Sequence, residues 1–178
     1  MHSCTKIRCE RCRLHAELCL CSEIPRLETR TRVVLLMHAQ EINKPSNTGR
    51  LAHLCLPNSE IRLRGLRDRT PLDLGGLVED THETWLLCLS DRSEPLTPAL
   101  AASALKPVRL LVPDGNWSQA SRLGAKLARD LPPSVRHVRL TAGKPSEYQL
   151  RLEHHPDGLA TFEAIARTLG LLEGKTVQ

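Results

Sequence analysis

Three polar segments carry side chains that could take part in catalysis or ligand binding. Each segment follows an apolar run that predicts a strand. They span residues 38–50, the segment that begins at Asp114, and residues 146–164. Asp114 ends the apolar run 109–113 and precedes Gly115, which permits a tight turn. Ligands of open parallel sheets bind beyond the carboxyl ends of the strands, which is where the sequence places Asp114. The alternative is an Asx-turn that only joins a strand to a helix.

Four cysteines near the start of the chain have the spacing of metal ligands. They follow the pattern Cys9-x2-Cys12-x6-Cys19-x-Cys21. Thiolates at this spacing can surround one tetrahedral zinc ion, which would organise a polar segment that has little else to fold around. The alternative is a set of unliganded thiols, which a reducing compartment tolerates. We predict a zinc-binding module and its connector over residues 1–30.

The composition narrows the classes of partner. The formal net charge is +5, from 25 Lys and Arg residues against 20 Asp and Glu residues. Arginine suits phosphate and carboxylate groups, so a polyanionic partner such as RNA is one hypothesis, and a merely solvated basic surface is the alternative. Aromatic residues number only two Trp, one Tyr and one Phe, which disfavours base stacking as the main binding device. Because no apolar run resembles a membrane span or signal peptide, we expect a cytoplasmic protein without a membrane partner.

Apolar runs that alternate with helical patterns predict the elements that position these side chains. Strands are predicted at 33–37, 85–89, 109–113 and 135–140, and helices at 48–56, 118–131 and 160–172. Phe162 is predicted to belong to the apolar stripe of the last helix. Each strand is a continuous apolar run, which indicates an α/β fold with a mainly parallel sheet and helices on both faces. Because the three polar segments all follow strands, we expect such a sheet to bring them together at one edge. Residues 61–83 stay ambiguous, and the segment with Pro95 and Pro98 is predicted to be a loop. Cys55 and Cys88 are predicted to be core residues.

Taken in order, these motifs resemble the DTW-domain family of tRNA-uridine aminocarboxypropyltransferases, which are related to the SPOUT class of RNA-modifying enzymes. The similarity spans residues 9–166. It rests on the cysteine cluster and on His38…Glu41…Lys44…Asn47-Thr48-Gly49-Arg50, Asp114-Gly115-x-Trp117 and Tyr148-x-Leu150-Arg151…Thr161-x-Glu163-Ala164. Two positions depart from the family pattern, since Ala39 stands where a proline is usual and Asn116 where a threonine is usual. Asparagine can still cap the following helix, so the turn should persist.

The resemblance implies that residues 31–178 form a SPOUT-like catalytic domain with a carboxyl-terminal knot. It implies transfer of the 3-amino-3-carboxypropyl group of S-adenosylmethionine to N3 of a tRNA uridine, with release of methylthioadenosine. Asp114 would take the proton from N3. The residues then expected around the donor are His38, Glu41, Asn47, Thr48, Arg50, Pro113, Gly115, Trp117, Arg151, Leu159, Ala160, Thr161, Glu163 and Ala164. The zinc on Cys9, Cys12, Cys19 and Cys21 would be structural.

Several roles stay open at this level. Arg50 or Arg151 could hold the carboxylate of the donor or a phosphate of the RNA. Glu163 could be only a capping-box acid, and Trp117 a packing residue under its loop. Two other functions also fit the motifs, namely methyl transfer to RNA by the same fold and zinc-dependent RNA binding without catalysis.

Overall fold

A computed structural model describes residues 7–65, 71–141, 143–148 and 158–174. Its strands are β1 (Arg32–His38), β2 (Ser59–Arg64), β3 (Glu83–Leu87), β4 (Glu94–Pro95), β5 (Val108–Asp114) and β6 (Arg136–Arg139). Its helices are α1 (Thr48–Cys55), α2 (Pro98–Ala102), α3 (Trp117–Asp130) and α4 (Thr161–Leu172). The strands form one sheet in the order β2-β1-β5-β3-β6-β4, and every neighbouring pair is parallel. The α/β class with a parallel sheet is therefore confirmed.

Two neighbouring interior strands, β1 and β5, are buried on both faces. Side chains alternate along a strand, so Val33 and Leu35 pack on one face while Val34 and Leu36 pack on the other. Residues of α1, α2 and α4 complete the first cluster, and residues of α3 complete the second. Burying each of these Val or Leu side chains contributes about 1.5–3 kcal/mol to folding. Helices thus cover both faces, as the continuous apolar runs predicted.

The order of the strands creates a crevice at the carboxyl edge of the sheet. From β1 the chain passes through α1 to β2, which lies on one side of the β1–β5 pair. From β5 it passes through α3 to β6, which lies on the other side of that pair. Ligands of open α/β sheets bind where connections from neighbouring strands diverge in this way. Met37 near the end of β1 pairs in register with Asp114 at the end of β5. Asp114 therefore lies where the topology favours a ligand.

Several predicted elements need correction. β2 occupies part of the ambiguous segment, because its alternating apolar and arginine side chains suit a half-buried edge strand. The predicted loop after β3 contains β4 and α2, since Thr97 caps α2 and Pro98 begins it, where a proline is well tolerated. Phe162 was predicted to join the apolar stripe of the last helix, but 38% of its surface is exposed. Cys55 is buried as predicted, whereas Cys88 is only half-buried.

The segment before the sheet packs against one end of α1. The backbone amide of Leu27 donates to the carbonyl of Cys55, and Ile24 and Leu27 pack on the adjoining core cluster. The division into a zinc module over residues 1–30 and a catalytic domain over 31–178 stays a prediction. The carboxyl-terminal knot also stays a prediction, because residues 149–157 lie outside the described part of the chain. Within the described ranges, no helix combines the length and apolar character needed to cross a bilayer.

Candidate active site

Asp114 is the point where the three polar segments meet. Its side chain is almost fully buried, with 1% of the residue exposed. The side-chain amide of Asn47 donates to Oδ2 at 2.7 Å, and the hydroxyl of Thr161 donates to Oδ1 at 2.5 Å. Asn47 precedes α1 and Thr161 begins α4. The prediction that segments far apart in the sequence converge at one edge of the sheet is therefore confirmed.

Helix capping explains how the sequence directs these groups to Asp114. Asn47 caps α1, since its Oδ1 accepts a hydrogen bond from the backbone amide of Arg50 at 2.8 Å. That bond turns the amide nitrogen of Asn47 towards Asp114. The hydroxyl of Thr48 accepts from the backbone amide of Phe162 at 3.3 Å and so joins the starts of α1 and α4.

The turn after Asp114 survives the replacement of the usual threonine. Asn116 caps α3 through a capping box: its Oδ1 accepts from the backbone amide of Gln119 at 2.9 Å, and Oε1 of Gln119 accepts from the backbone amide of Asn116 at 2.9 Å. A Cβ atom at Gly115 would lie 2.8 Å from Cβ of Gln119. Glycine at position 115 therefore permits the close approach that the capping box requires.

A cleft of about 430 Å³ opens beside Asp114. This volume is typical of sites for small molecules. The carboxyl ends of β3, β5 and β6 line the cleft together with α3 and the start of α4. The predicted residues that line it are Asn47, Thr48, Pro113, Asp114, Gly115, Trp117, Leu159, Ala160, Thr161 and Ala164.

The four amino-terminal cysteines bring their sulfur atoms within 4.8 Å of one another. Sγ of Cys9 lies 3.6 Å from Sγ of Cys21, and Sγ of Cys12 lies 3.8 Å from Sγ of Cys19. Zinc–sulfur bonds of about 2.3 Å in a tetrahedron separate the sulfurs by about 3.8 Å, so the cluster fits a zinc ion. The backbone amides of Cys12 and Arg11 help lower the pKa of Cys9 to about 6, which favours a metal-binding thiolate. Burial and the neighbouring thiols raise the pKa of Cys21 to about 12.

Comparison with known proteins decides the family. The sequence model that describes the DTW domain family matches residues 6–178 of this chain. The chain belongs to the DTW domain family. No solved structure matches the chain significantly.

Three relatives of this DTW protein carry a functional name. The chain is 28% identical over 171 residues to tRNA-uridine aminocarboxypropyltransferase 2 of Macaca fascicularis, over 93% of this chain and 56% of that protein. It is 28% identical over 174 residues to tRNA-uridine aminocarboxypropyltransferase 2 of Drosophila melanogaster, over 94% and 67% of the two chains. It is 27% identical over 194 residues to tRNA-uridine aminocarboxypropyltransferase A of Arabidopsis thaliana, over 93% and 72%. The DTW chain thus spans little more than half the length of the macaque relative.

Not every predicted donor residue of the DTW domain lines the cleft. Those that lie elsewhere are His38, Glu41, Arg50 and Glu163. The guanidinium group of Arg50 donates from Nε and Nη2 to the carbonyl of Ile42. Glu41 is fully buried and pairs with Nζ of Lys44 at 2.6 Å. These contacts hold the polar segment after β1 in shape. Arg151 lies outside the described residues.

Glu163 supplies the acidic half of a capping box at the start of α4, where Ala160 has no side-chain acceptor to complete it, and Glu163 also fixes the preceding loop. Its carboxylate accepts from the backbone amide of Ala160 at 2.9 Å, from the hydroxyl of Ser146 at 2.6 Å and from the backbone amide of Glu147 at 2.7 Å. Burial alone raises the pKa of Glu163, but these three hydrogen bonds and the charge of Arg167 outweigh burial and lower it. Glu163 therefore shapes one wall of the cleft from outside.

Basic side chains that line the cleft were missed by the sequence analysis. They are Arg139, Lys144 and Arg167. Arg167 follows Ala160 and Ala164 at the helical spacing of four and then three residues, so the period of α4 was a signal that could have found it. Arg139 ends a strand, and no spacing in the sequence distinguishes it from other strand arginines. The cleft that Asp114 lines therefore also carries positive charge.

Gly49 lets the first turn of α1 approach Asp114, and this closeness gives a test of the site. A Cβ atom at Gly49 would lie 2.9 Å from Oδ2 of Asp114 and 2.9 Å from Cδ2 of Leu35. We expect Gly49→Ala to lower the free energy of unfolding by about 1–3 kcal/mol because of this overlap, although alanine is the better helix former. Urea denaturation measures the change. An unaltered or higher midpoint would contradict the close approach of α1 to Asp114.

Proposed function

We propose that this protein transfers the 3-amino-3-carboxypropyl group of S-adenosylmethionine to N3 of a uridine in tRNA, breaking the bond between that group and sulfur and releasing methylthioadenosine. The observation that carries the proposal is the convergence of Asn47 and Thr161 on Asp114 beside a cleft of about 430 Å³. The names of the relatives describe this reaction class, and membership of the DTW domain family supports it for this chain. The four cysteines fit a structural zinc ion in the same protein.

Asp114 is proposed as the general base. N3–H of uridine is weakly acidic and must lose its proton while the nitrogen forms its new bond to carbon. A general base is effective only when it is held within hydrogen-bond reach of that proton. The hydrogen bonds from Asn47 and Thr161 fix the carboxylate of Asp114 at the wall of the cleft. These two residues would therefore act as positioning residues for the base.

The donor is proposed to occupy the cleft. Its sulfonium supplies three carbons that are open to attack, so the walls of the cleft must present the methylene of the aminocarboxypropyl arm and hide the methyl group. The carboxylate of that arm requires a cationic partner, and Arg139, Lys144 and Arg167 line the cleft whereas Arg50 does not. Of the two roles left open for Arg50, holding the donor carboxylate is therefore the less favoured.

Donor labelling tests the reaction. Unmodified tRNA is incubated with the protein and with S-adenosylmethionine labelled either on the methyl carbon or on the carboxyl carbon. We expect only the carboxyl label to enter tRNA, and nucleoside mass spectrometry to detect aminocarboxypropyl-uridine. Entry of the methyl label would instead identify an RNA methyltransferase. Binding of RNA without calorimetric binding of S-adenosylmethionine would identify a non-catalytic RNA-binding protein.

A further inference from the structure

A second group of polar side chains lies at the carboxyl edge of the sheet, on the β1–β2 side of Asp114. His38 ends β1 and Arg64 ends β2, and the two residues are paired in register. Met37, one residue before His38, is paired with Asp114 of β5. Neighbouring strands lie about 4.8 Å apart, so β2 runs roughly 10 Å from β5. The cleft extends from Asp114 in the other direction, towards β3 and β6.

Arg64 is anchored in this group through only part of its guanidinium group. Its Nη2 donates to the carbonyl of Gln119 in α3 at 2.8 Å, whereas its buried Nε has no hydrogen-bond partner among the described residues. Burial and the charge of Arg122, one turn from Gln119 in α3, lower the pKa of Arg64. No acidic side chain of the described ranges forms an ion pair with Arg64 or Arg122. An anion bound here would accept a hydrogen bond from Nε of Arg64 and offset the charges of Arg64 and Arg122.

His38 offers a further donor to the same place. Its Nδ1 accepts a hydrogen bond from the backbone amide of Gln40 at 3.2 Å. Burial, together with the charge of Arg64, lowers the pKa of His38, although the nearby Glu41 opposes this shift. Because Nδ1 accepts the hydrogen bond from Gln40, the ring carries a proton on Nε2. Gly65 leaves room for that atom, because a Cβ there would lie 2.8 Å from Nε2 of His38.

We propose that Arg64, Arg122 and His38 bind a phosphate group of the RNA strand that carries the target uridine. This inference rests on the proposed function for its substrate. A phosphate oxygen would satisfy the orphaned Nε of Arg64 and neutralise both guanidinium groups. The strands that carry Arg64 and Asp114 run roughly 10 Å apart at the same edge of the sheet, which suits a phosphate group and a target base on one RNA strand. His38 thereby contacts RNA instead of the donor.

Salt-dependent binding of an unmodified tRNA transcript tests this site. Arg122 is exposed on α3, and its guanidinium group donates to the hydroxyl and the carbonyl of Ser118 one turn earlier, so Arg122→Ala should fold normally. We expect Arg122→Ala to weaken tRNA binding about tenfold in fluorescence anisotropy and to reduce the slope of log affinity against log salt by about 1. Arg122→Glu should weaken binding further. Calorimetric affinity for S-adenosylmethionine should not change.

Arg26→Ala is the matched control. This variant also removes one arginine charge, but at the opposite edge of the sheet. Arg26 precedes Leu27, whose backbone amide donates to the carbonyl of Cys55 at the end of α1. Equal tRNA affinity and salt slope in Arg122→Ala, Arg122→Glu and Arg26→Ala would overturn the phosphate site. Failure of the proposed function has a different signature, because wild-type protein would then bind tRNA with the expected salt slope but form no aminocarboxypropyl-uridine. Product formation with an unchanged KM for tRNA in both Arg122 variants would overturn the phosphate site alone.

Discussion

Asp114→Asn is expected to lower the rate of aminocarboxypropyl-uridine formation by about 10²- to 10⁴-fold, the usual contribution of a general base. The introduced amide has the shape of the carboxylate but cannot take up the N3 proton. Its oxygen can still accept from Asn47, and the hydroxyl of Thr161 can turn to accept from its nitrogen. The fold and the affinity for S-adenosylmethionine should therefore persist. Single-turnover assays with nucleoside mass spectrometry measure the rate, and thermal unfolding measures the stability.

Asp114→Ala is the less informative variant. It leaves the buried amide of Asn47 and the hydroxyl of Thr161 without their acceptor, at a cost of about 1–3 kcal/mol for each donor. Lost activity in Asp114→Ala would thus combine lost chemistry with altered structure. Product formation at the wild-type rate by Asp114→Asn would eliminate Asp114 as the base. The role of Asp114 would then be structural, since its hydrogen bonds link β5 to the starts of α1 and α4.

The sequence predicted the convergence at Asp114 because the convergence follows from topology. Continuous apolar runs predict buried parallel strands, and the residues that follow parallel strands must share one edge of the sheet. The caps at Asn47 and Asn116 were predictable for a similar reason, since capping depends on local sequence. Much of the framework of the site can therefore be predicted from two features, which are helix capping by the local sequence and the parallel direction of the strands.

Edge elements were harder to predict because their sequences lack a strong periodic signal. β2 alternates isoleucine or leucine with Arg62 and Arg64, which suits an edge strand and also suits an exposed loop. Pro98 indicates a loop in isolation, yet it begins α2 because Thr97 before it caps the helix. In both places the neighbouring strand or helix decides between two conformations that the local sequence allows.

The sequence also could not separate residues that shape the cleft from residues that line it. Asn47 and Arg50 lie three positions apart in one polar motif, but Asn47 contacts Asp114 while Arg50 donates to Ile42. Which of two neighbouring polar side chains turns inwards depends on the geometry of the loop and on the element packed against it. Arg167 is a different case, because its helical spacing from Ala160 and Ala164 places it on the face of α4 that lines the cleft.

Zinc removal should have the largest effect on the amino-terminal segment. Elemental analysis is expected to find one zinc ion per chain, and Cys12→Ser is expected to lose it together with the ordered structure around residues 7–21. Cys12 is only 2% exposed, and the regular structure of this segment consists of one short turn, Ala16–Leu18, and one bridge between Arg8 and His15. Structural zinc supplies about 10–16 kcal/mol of apparent binding free energy in zinc-finger peptides, so its loss leaves little to hold such a segment. Limited proteolysis detects the loss of structure.

Cys88→Ser separates this effect from the general loss of a thiol. Cys88 contacts Ser90 and Ser93 near β3 and lies outside the cysteine cluster, so this variant should keep one zinc ion and resist proteolysis at residues 7–21. The sheet itself should survive in Cys12→Ser, because β1 and β5 are buried by the helices and not by the cluster. A metal-free wild-type protein with an intact amino-terminal segment would refute the ligand assignment. Hydrogen bonds among the four thiols would then hold the segment without a cation.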